Sequence, residues 1–179
     1  VFALLRFNLT LPYRWKRLKG PDPEAPPDFA GSSPTTDPPI ASIVILSFNR
    51  LEYLRTTLFS LHQTVQEGHH EVIAVDNGST DGSREFLEDA RRRGWVSKAL
   101  LLGTNLGNSA GYNRGFALAH PDSSFLMKLD SDIKLLTPGW LEKSTEFLDR
   151  HPGVGFVALN QLNQATINSL PRHTVDGVE

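Results

Sequence analysis

Read as apolar and polar positions, the chain from Ala41 onward alternates two periods. ASIVILS is a short, continuous, β-branched run, and LEYLRTTLFSLHQTV follows it with Leu51, Leu54, Leu58 and Leu61 spaced by three and four, the interval of a helix with one buried face. The pair then repeats. EVIAVD reads as a strand, and DGSREFLEDARRR as a helix with Asp81 or Ser79 as its cap. VSKALLLG and SAGYNRGFALAH form a third pair across a glycine-rich turn. SSFLMKLD and TPGWLEKSTEFLDRH form a fourth, with Pro138 suited to the first helical turn, and GVGFVAL closes as a fifth strand. Strands alternating with helices over short connections predict an α/β fold with a mostly parallel sheet and helices on both faces.

The segments before Ile40 obey neither period. Residues 1–20 interleave aromatic and aliphatic side chains with Arg6, Arg14, Lys16, Arg17 and Lys19 and hold no acid. That pattern suits peripheral contact with an anionic membrane surface, or equally an arm packed on the domain. Residues 21–39 are rich in proline, which cannot donate to a ladder or helix, and read as a linker. The folded domain is expected over 40–160, with 161–179 as a tail or a partial acceptor-side segment. A length of 179 residues with 39% hydrophobic content allows one ordinary core. A net charge of −2 gives no basic field for nucleic acid. The absence of cysteine removes disulfides and thiolate metal sites. No apolar run is long enough to span a bilayer, and the chain, starting at Val1, reads as a fragment.

In a parallel α/β sheet ligands bind beyond the carboxyl ends of the strands. Those ends here carry Ser47, Phe48, Asn49 and Arg50, then Asp76 to Asp81, then Gly103 to Gly111, then Asp130 to Asp132. All four are rich in polar or small residues, which inert turns do not require. Asp130 and Asp132 are two apart at the end of an extended run, so their carboxylates can converge, and a hard divalent cation relieves their repulsion. The histidines show no ligand spacing: His62, His69 and His70 flank a helix end, His120 and His151 precede prolines, and His173 lies in the tail.

The segments SIVILSFNR, VIAVDNGSTDGS, GTNLGNSAGYNRG and MKLDSD, in this order, resemble the nucleotide-sugar-binding half of a family 2 glycosyltransferase with the GT-A fold. The resemblance covers roughly residues 40–159. It implies transfer of a sugar from a nucleoside diphosphate donor to an acceptor hydroxyl, with inversion and with Mg2+ or Mn2+ as cofactor. Asp132 is then the direct metal ligand, with Asp130 and Ser131 supporting metal, ribose or diphosphate. Ser47, Asn49 and Arg50 lie beside the base and ribose, and Asn105, Gly107 and Asn113 wall the diphosphate and sugar. Asp76 and Asn77, both nucleotide-sugar-binding candidates, stand where many members carry two acids at the nucleotide, the second of which often contacts the pyrimidine and is Asn here. That variant, with GNSAGYNRG, is similar to rhamnosyl- and galactofuranosyl-transferring members.

Several of these residues have structural readings beside the functional one. Ser47 and Asn49 can serve as helix-start residues, Arg50 as a solvated charge, and Asp76 as a turn-holder for the Ser79 and Thr80 N–H groups. Tyr112 and Arg114 are open between site and surface. The favoured donor base is that of UDP or dTDP, and the acceptor a glycan or lipid-linked hydroxyl. No residue after Leu159 matches the family's general base, which is expected outside this chain. A donor-binding module without catalysis, and a Rossmann-type dinucleotide enzyme using the glycine-rich turn, stand as alternatives. Sequons at Asn8 and at Asn77, the second inside the proposed site, favour the cytoplasm, at the inner membrane surface if residues 1–20 touch lipid.

Overall fold

The computed structural model describes residues 3–6, 38–65 and 68–159. In chain order the elements are β1 (Ala3–Arg6), β2 (Ala41–Ser47), α1 (Leu51–Thr64), β3 (His70–Asp76), α2 (Ser83–Arg92), β4 (Lys98–Leu101), α3 (Asn108–Phe116), β5 (Phe125–Asp130), α4 (Trp140–Arg150) and β6 (Phe156–Val157). One six-stranded sheet runs β4-β3-β2-β5-β1-β6. β4, β3, β2 and β5 are parallel, and β1 pairs antiparallel with both β5 and β6.

Strand alternation sorts the core into two layers. Ile43 and Ile45 of β2 face α1, α2 and α4, which bury Leu54, Leu58, Leu61, Leu87, Ala90, Trp140, Leu141 and Leu148 against them. Val44, Ile73 and Val75 face the opposite side, where α3 lays Tyr112 on the sheet. α3 comes close because Gly111 and Gly115, four apart, form its contact stripe. A Cβ at Gly115 would stand 2.4 Å from Val44 Cγ1, and one at Gly111 would stand 2.6 Å from Leu46 Cδ1. These two glycines of the glycine-rich segment therefore serve helix–sheet contact.

The four expected strand–helix pairs are present, with three differences in detail. Pro138 lies before α4 rather than in its first turn, because Gly139 takes a left-handed conformation (φ 71) at the N-cap and starts the helix at Trp140. The fifth predicted strand shrinks to Phe156–Val157, follows Gly153 and Gly155, and holds its place by pairing with β1 instead of a parallel neighbour. The sheet also recruits Ala3–Arg6, far upstream of Ile40, between β5 and β6. Those four residues pair with β5 on one side and β6 on the other. The rest of 1–20, residues 21–37 of the linker and the 161–179 tail lie outside the described residues. Among the described residues, no helix is long and apolar enough to cross a membrane.

Candidate functional site

The chain leaves β2 for β3 and β4 on one side, then crosses back through α3 to β5 on the other, so β2 and β5 diverge at their carboxyl ends. Connections leaving in opposite directions open a crevice at that switch point. A cleft of about 400 Å³ lies there, walled by the β2 end (Leu46, Ser47, Phe48, Arg50), by Asn77, by the start of α3 and by Asp130, Ser131 and Asp132.

Its rim is cross-braced by side-chain hydrogen bonds between successive strand ends. Asn49, held at φ 50, donates its N–H to Ser79 Oγ at 2.9 Å and accepts from the Thr80 N–H at 2.8 Å through Oδ1. Asp81 accepts from the Leu51 N–H at 2.9 Å with one oxygen and from the Ser83 N–H and hydroxyl at 3.1 and 2.6 Å with the other, so one carboxylate serves the starts of α1 and α2. Burial opposes ionisation of Asp81, but these hydrogen bonds outweigh it and hold its carboxyl below the ordinary range. Asn77, buried, donates from Nδ2 to Asn105 Oδ1 at 2.8 Å and to the Gly107 carbonyl at 3.3 Å, and accepts from the Leu106 N–H at 3.0 Å. Its amide thus ties the β3 end to the loop after β4.

The two strand-end acids differ in surroundings. Asp130 receives the Lys128 ammonium and, at 3.1 Å, the Tyr112 hydroxyl, both on Oδ1. Burial opposes its ionisation, but the Lys128 ammonium, with a smaller share from Tyr112, is among the contributions that outweigh burial and keep its carboxyl below the usual value. Burial, reinforced by the negative Asp130, pushes the Tyr112 hydroxyl upward, so it remains a donor. Lys128 Nζ also sits 4.6 Å from the centroid of the Tyr112 ring. Asp132 stands at the mouth, 43% exposed, and accepts from Arg50 Nη1 at 2.5 Å. The backbone just beyond it is held to α1: Thr57 Oγ1 donates to the Ile133 carbonyl at 2.8 Å and accepts from the Ile133 N–H at 3.0 Å, and Ser60 Oγ accepts from the Leu135 N–H at 3.0 Å.

The structure brings Ser47, Arg50, Asn77, Asn105, Gly107, Asp130, Ser131 and Asp132 into one cleft. Three other candidates lie off its wall. Asn49 braces the rim. Asp76, fully buried, accepts from the Gly78 and Ser79 N–H groups at 3.2 and 3.0 Å, the turn-holding role, although through Gly78 rather than Thr80. Asn113 faces solvent, because α3 turns Gly111, Tyr112 and Gly115 to the sheet. Tyr112, left open by the sequence, lines the cleft. Lys128 and Phe48 were not singled out. Lys128 shares a strand face with Asp130 two residues on, the period that links Asp130 to Asp132, and Phe48 is a large apolar residue, 41% exposed, in an otherwise polar strand end.

A divalent cation can be tested against this donor set. Among the described residues no three His, Asp or Glu side chains converge as a protein-only metal cage. Asp132 is exposed and carboxylate-bearing, which fits a site for a hard ion that takes one or two carboxylates and completes its shell with water and phosphate oxygens. Asp130 is already engaged by Lys128 and Tyr112. Two buried polar atoms, Ser47 Oγ and Asp76 Oδ1, have no protein partner among the described residues, and Ser47 lines the cleft.

The model of the family described as glycosyl transferase family 2 matches residues 42–175. The chain belongs to that family. Among curated relatives, the Bacillus subtilis protein named putative teichuronic acid biosynthesis glycosyltransferase TuaG is 31% identical over 110 residues, 62% of this chain and 42% of that protein. An undecaprenyl-phosphate 4-deoxy-4-formamido-L-arabinose transferase of Aeromonas hydrophila is 32% identical over 102 residues, 55% of this chain and 31% of its own length. The chain thus spans less than half the length of the curated relatives it matches. Among solved structures, S. aureus TarS in complex with UDP-GlcNAc matches with a TM-score of 0.55 and 26% identity, over 63% of this chain and 32% of that one. The mannosyltransferase PcManGT of Pyrobaculum calidifontis, in complex with GDP-Man and Mn2+, matches with a TM-score of 0.51 at 16% identity, a likeness of fold alone. The α/β sheet with its parallel core is the GT-A architecture of those enzymes.

Proposed function

We propose that this family 2 chain forms the donor half of a metal-dependent glycosyltransferase that moves a sugar from a nucleoside diphosphate onto an acceptor hydroxyl with inversion. The observation that carries the reading is the position of Asp132, an exposed carboxylate at the mouth of the switch-point cleft, two residues beyond the end of β5. A Mg2+ or Mn2+ ion held there, with Asp130 in support, supplies Lewis-acid neutralisation of the charge that develops on the departing nucleoside diphosphate.

The protein's own groups do the rest. Ser47 offers an unpartnered buried hydroxyl to the base or ribose, and Phe48 an exposed ring beside it. Asn77 has spent both amide hydrogens on Asn105 and Gly107, which leaves a pyrimidine only the second lone pair of its oxygen. Recognition of a uracil or thymine edge therefore falls more to Ser47 and to the backbone than to Asn77. UDP or dTDP is the favoured carrier, in line with the UDP and UDP-GlcNAc bound by TarS. The acceptor is a glycan or lipid-linked hydroxyl, met at the cytoplasmic face of the membrane.

A second reading, a donor-binding module without transfer, is favoured by one observation: among the described residues Asp130 and Asp132 are the only acids lining the cleft, and each faces a cationic side chain. Calorimetry with UDP, dTDP, GDP and ADP, each with Mn2+ or Mg2+, tests the shared core of both readings. Metal-dependent preference for the pyrimidine nucleotides is expected. Equal, metal-independent affinity for all four would sink the reading.

A further inference from the structure

Asp132 is not waiting bare for a cation. Its Oδ2 already holds the guanidinium of Arg50 at 2.5 Å, and both side chains line the cleft. The partners come from opposite walls, 82 positions apart in the chain, and each is positioned by its own bracing. Arg50 is the N-cap residue of α1, and its direction is set by Asn49, whose left-handed backbone is pinned to Ser79 and Thr80. Asp132 is set by Ile133, whose N–H and carbonyl both bond Thr57 Oγ1. Asp130 is served by Lys128 and Tyr112, so Arg50 is not needed to neutralise it.

A guanidinium and a divalent cation cannot occupy one carboxylate oxygen, because their like charges would lie within a few ångströms of each other. Nothing buries the pair: Arg50 is 54% and Asp132 43% exposed, so the guanidinium can swing away into the cleft. Only one of its nitrogens touches Asp132, which leaves further donors of a fork that matches phosphate geometry.

We propose that Arg50 is an exchangeable counter-ion: it occupies Asp132 in the ligand-free protein, yields the carboxylate to the divalent cation, and turns its freed guanidinium onto the donor diphosphate. The inference rests on the donor and metal reading above and adds a consequence that this reading does not contain. Arg50 opposes the cation when the cation comes alone and assists the nucleotide when the two come together. One substitution must therefore move two affinities in opposite directions.

The test titrates Mn2+, followed by water-proton relaxation, into the parent, Arg50→Gln, Arg50→Lys and Asp132→Asn without nucleotide, and then titrates UDP at saturating Mn2+. An exposed ion pair is worth up to about fivefold in affinity. Arg50→Gln is therefore expected to bind Mn2+ alone about two- to fivefold more tightly than the parent, with the difference shrinking in high salt as the pair is screened. The same variant should bind UDP at least about tenfold more weakly, the loss of a charge-assisted phosphate contact. Arg50→Lys, which keeps the charge, should stay near the parent in the first arm, and Asp132→Asn should bind no Mn2+. Unchanged or weaker Mn2+ binding by Arg50→Gln overturns the exchange, and so does unchanged UDP affinity. A parent that binds no Mn2+ even with UDP overturns the metal reading itself, a separate result.

Discussion

At the scale of single residues, the acid pair divides its labour. Mutual repulsion of Asp130 and Asp132, expected from their spacing alone, is quenched in the structure because each carboxylate has its own cation. Asp132→Asn should therefore change the melting temperature of the metal-free protein by less than about 3 °C, since an exposed ion pair contributes about 0–1 kcal/mol. It should remove the Mn2+-induced rise in melting temperature that is expected of the parent with UDP. Asp130→Asn should do the reverse. It strands the Lys128 ammonium beside Tyr112, costs about 1–3 kcal/mol in thermal or urea melts, and weakens metal-dependent UDP binding less. The sign of the pH dependence follows from Asp130 lying below its ordinary 3.8 in the folded protein. Its contribution is fully present above that value and is lost as pH falls through the depressed one, so Asp130→Asn should show a shallower acid limb than the parent. A steeper limb in the variant would contradict the assignment.

Among the elements, two contacts carry more than their size suggests. The Asp81 carboxylate meets the starts of both α1 and α2, so Asp81→Ala should remove two caps at once and cost about 1–3 kcal/mol by urea melt. A cost no larger than about 0.5 kcal/mol would mean that the two contacts are ornamental. Gly115→Ala should also destabilise, by about 1–3 kcal/mol, although alanine favours helices. The new methyl would drive into Val44 and Val75. These contacts mark the limit of what the sequence discloses. Leu51, Leu54, Leu58 and Leu61 announce α1 because burial and apolar character coincide there. In α3 two of the three buried residues are glycines, so the apolar period that would phase the helix is nearly absent, and Asn113, expected in the site, faces solvent. The acid pair was legible from period two, and Lys128 follows the same rule. β1 was not legible as a strand of this sheet, because the pairing of Ala3 with Lys128 joins residues more than a hundred positions apart and leaves no local periodic trace.

For the molecule as a whole, the braced strand ends place every cleft-lining candidate at the carboxyl end of the parallel strands. Among the described residues no acid lines the cleft beyond Asp130 and Asp132, so the chain is expected to bind donor but to transfer sugar slowly or not at all. General-base assistance is worth about 10²–10⁴ in rate. Turnover of UDP-sugar at an ordinary enzymatic rate by this chain would refute that and require an acid assigned here to structure to act as the base. α1 spans both sides of the exchange at Asp132. Arg50 caps its first turn, and Thr57, Ser60 and Thr64 along its buried stripe hold Ile133, Leu135 and Trp140. Arg50 and the proposed cation ligand Asp132 are therefore both anchored to α1, and the proposed exchange asks for rotation about side-chain torsions alone. Exposed side chains reorient in picoseconds to nanoseconds, whereas loop closure takes microseconds or longer. The pace of metal binding is then set by the water that the ion must shed, so reluctantly dehydrating Mg2+ should load more slowly than Mn2+ in stopped flow, with or without Arg50.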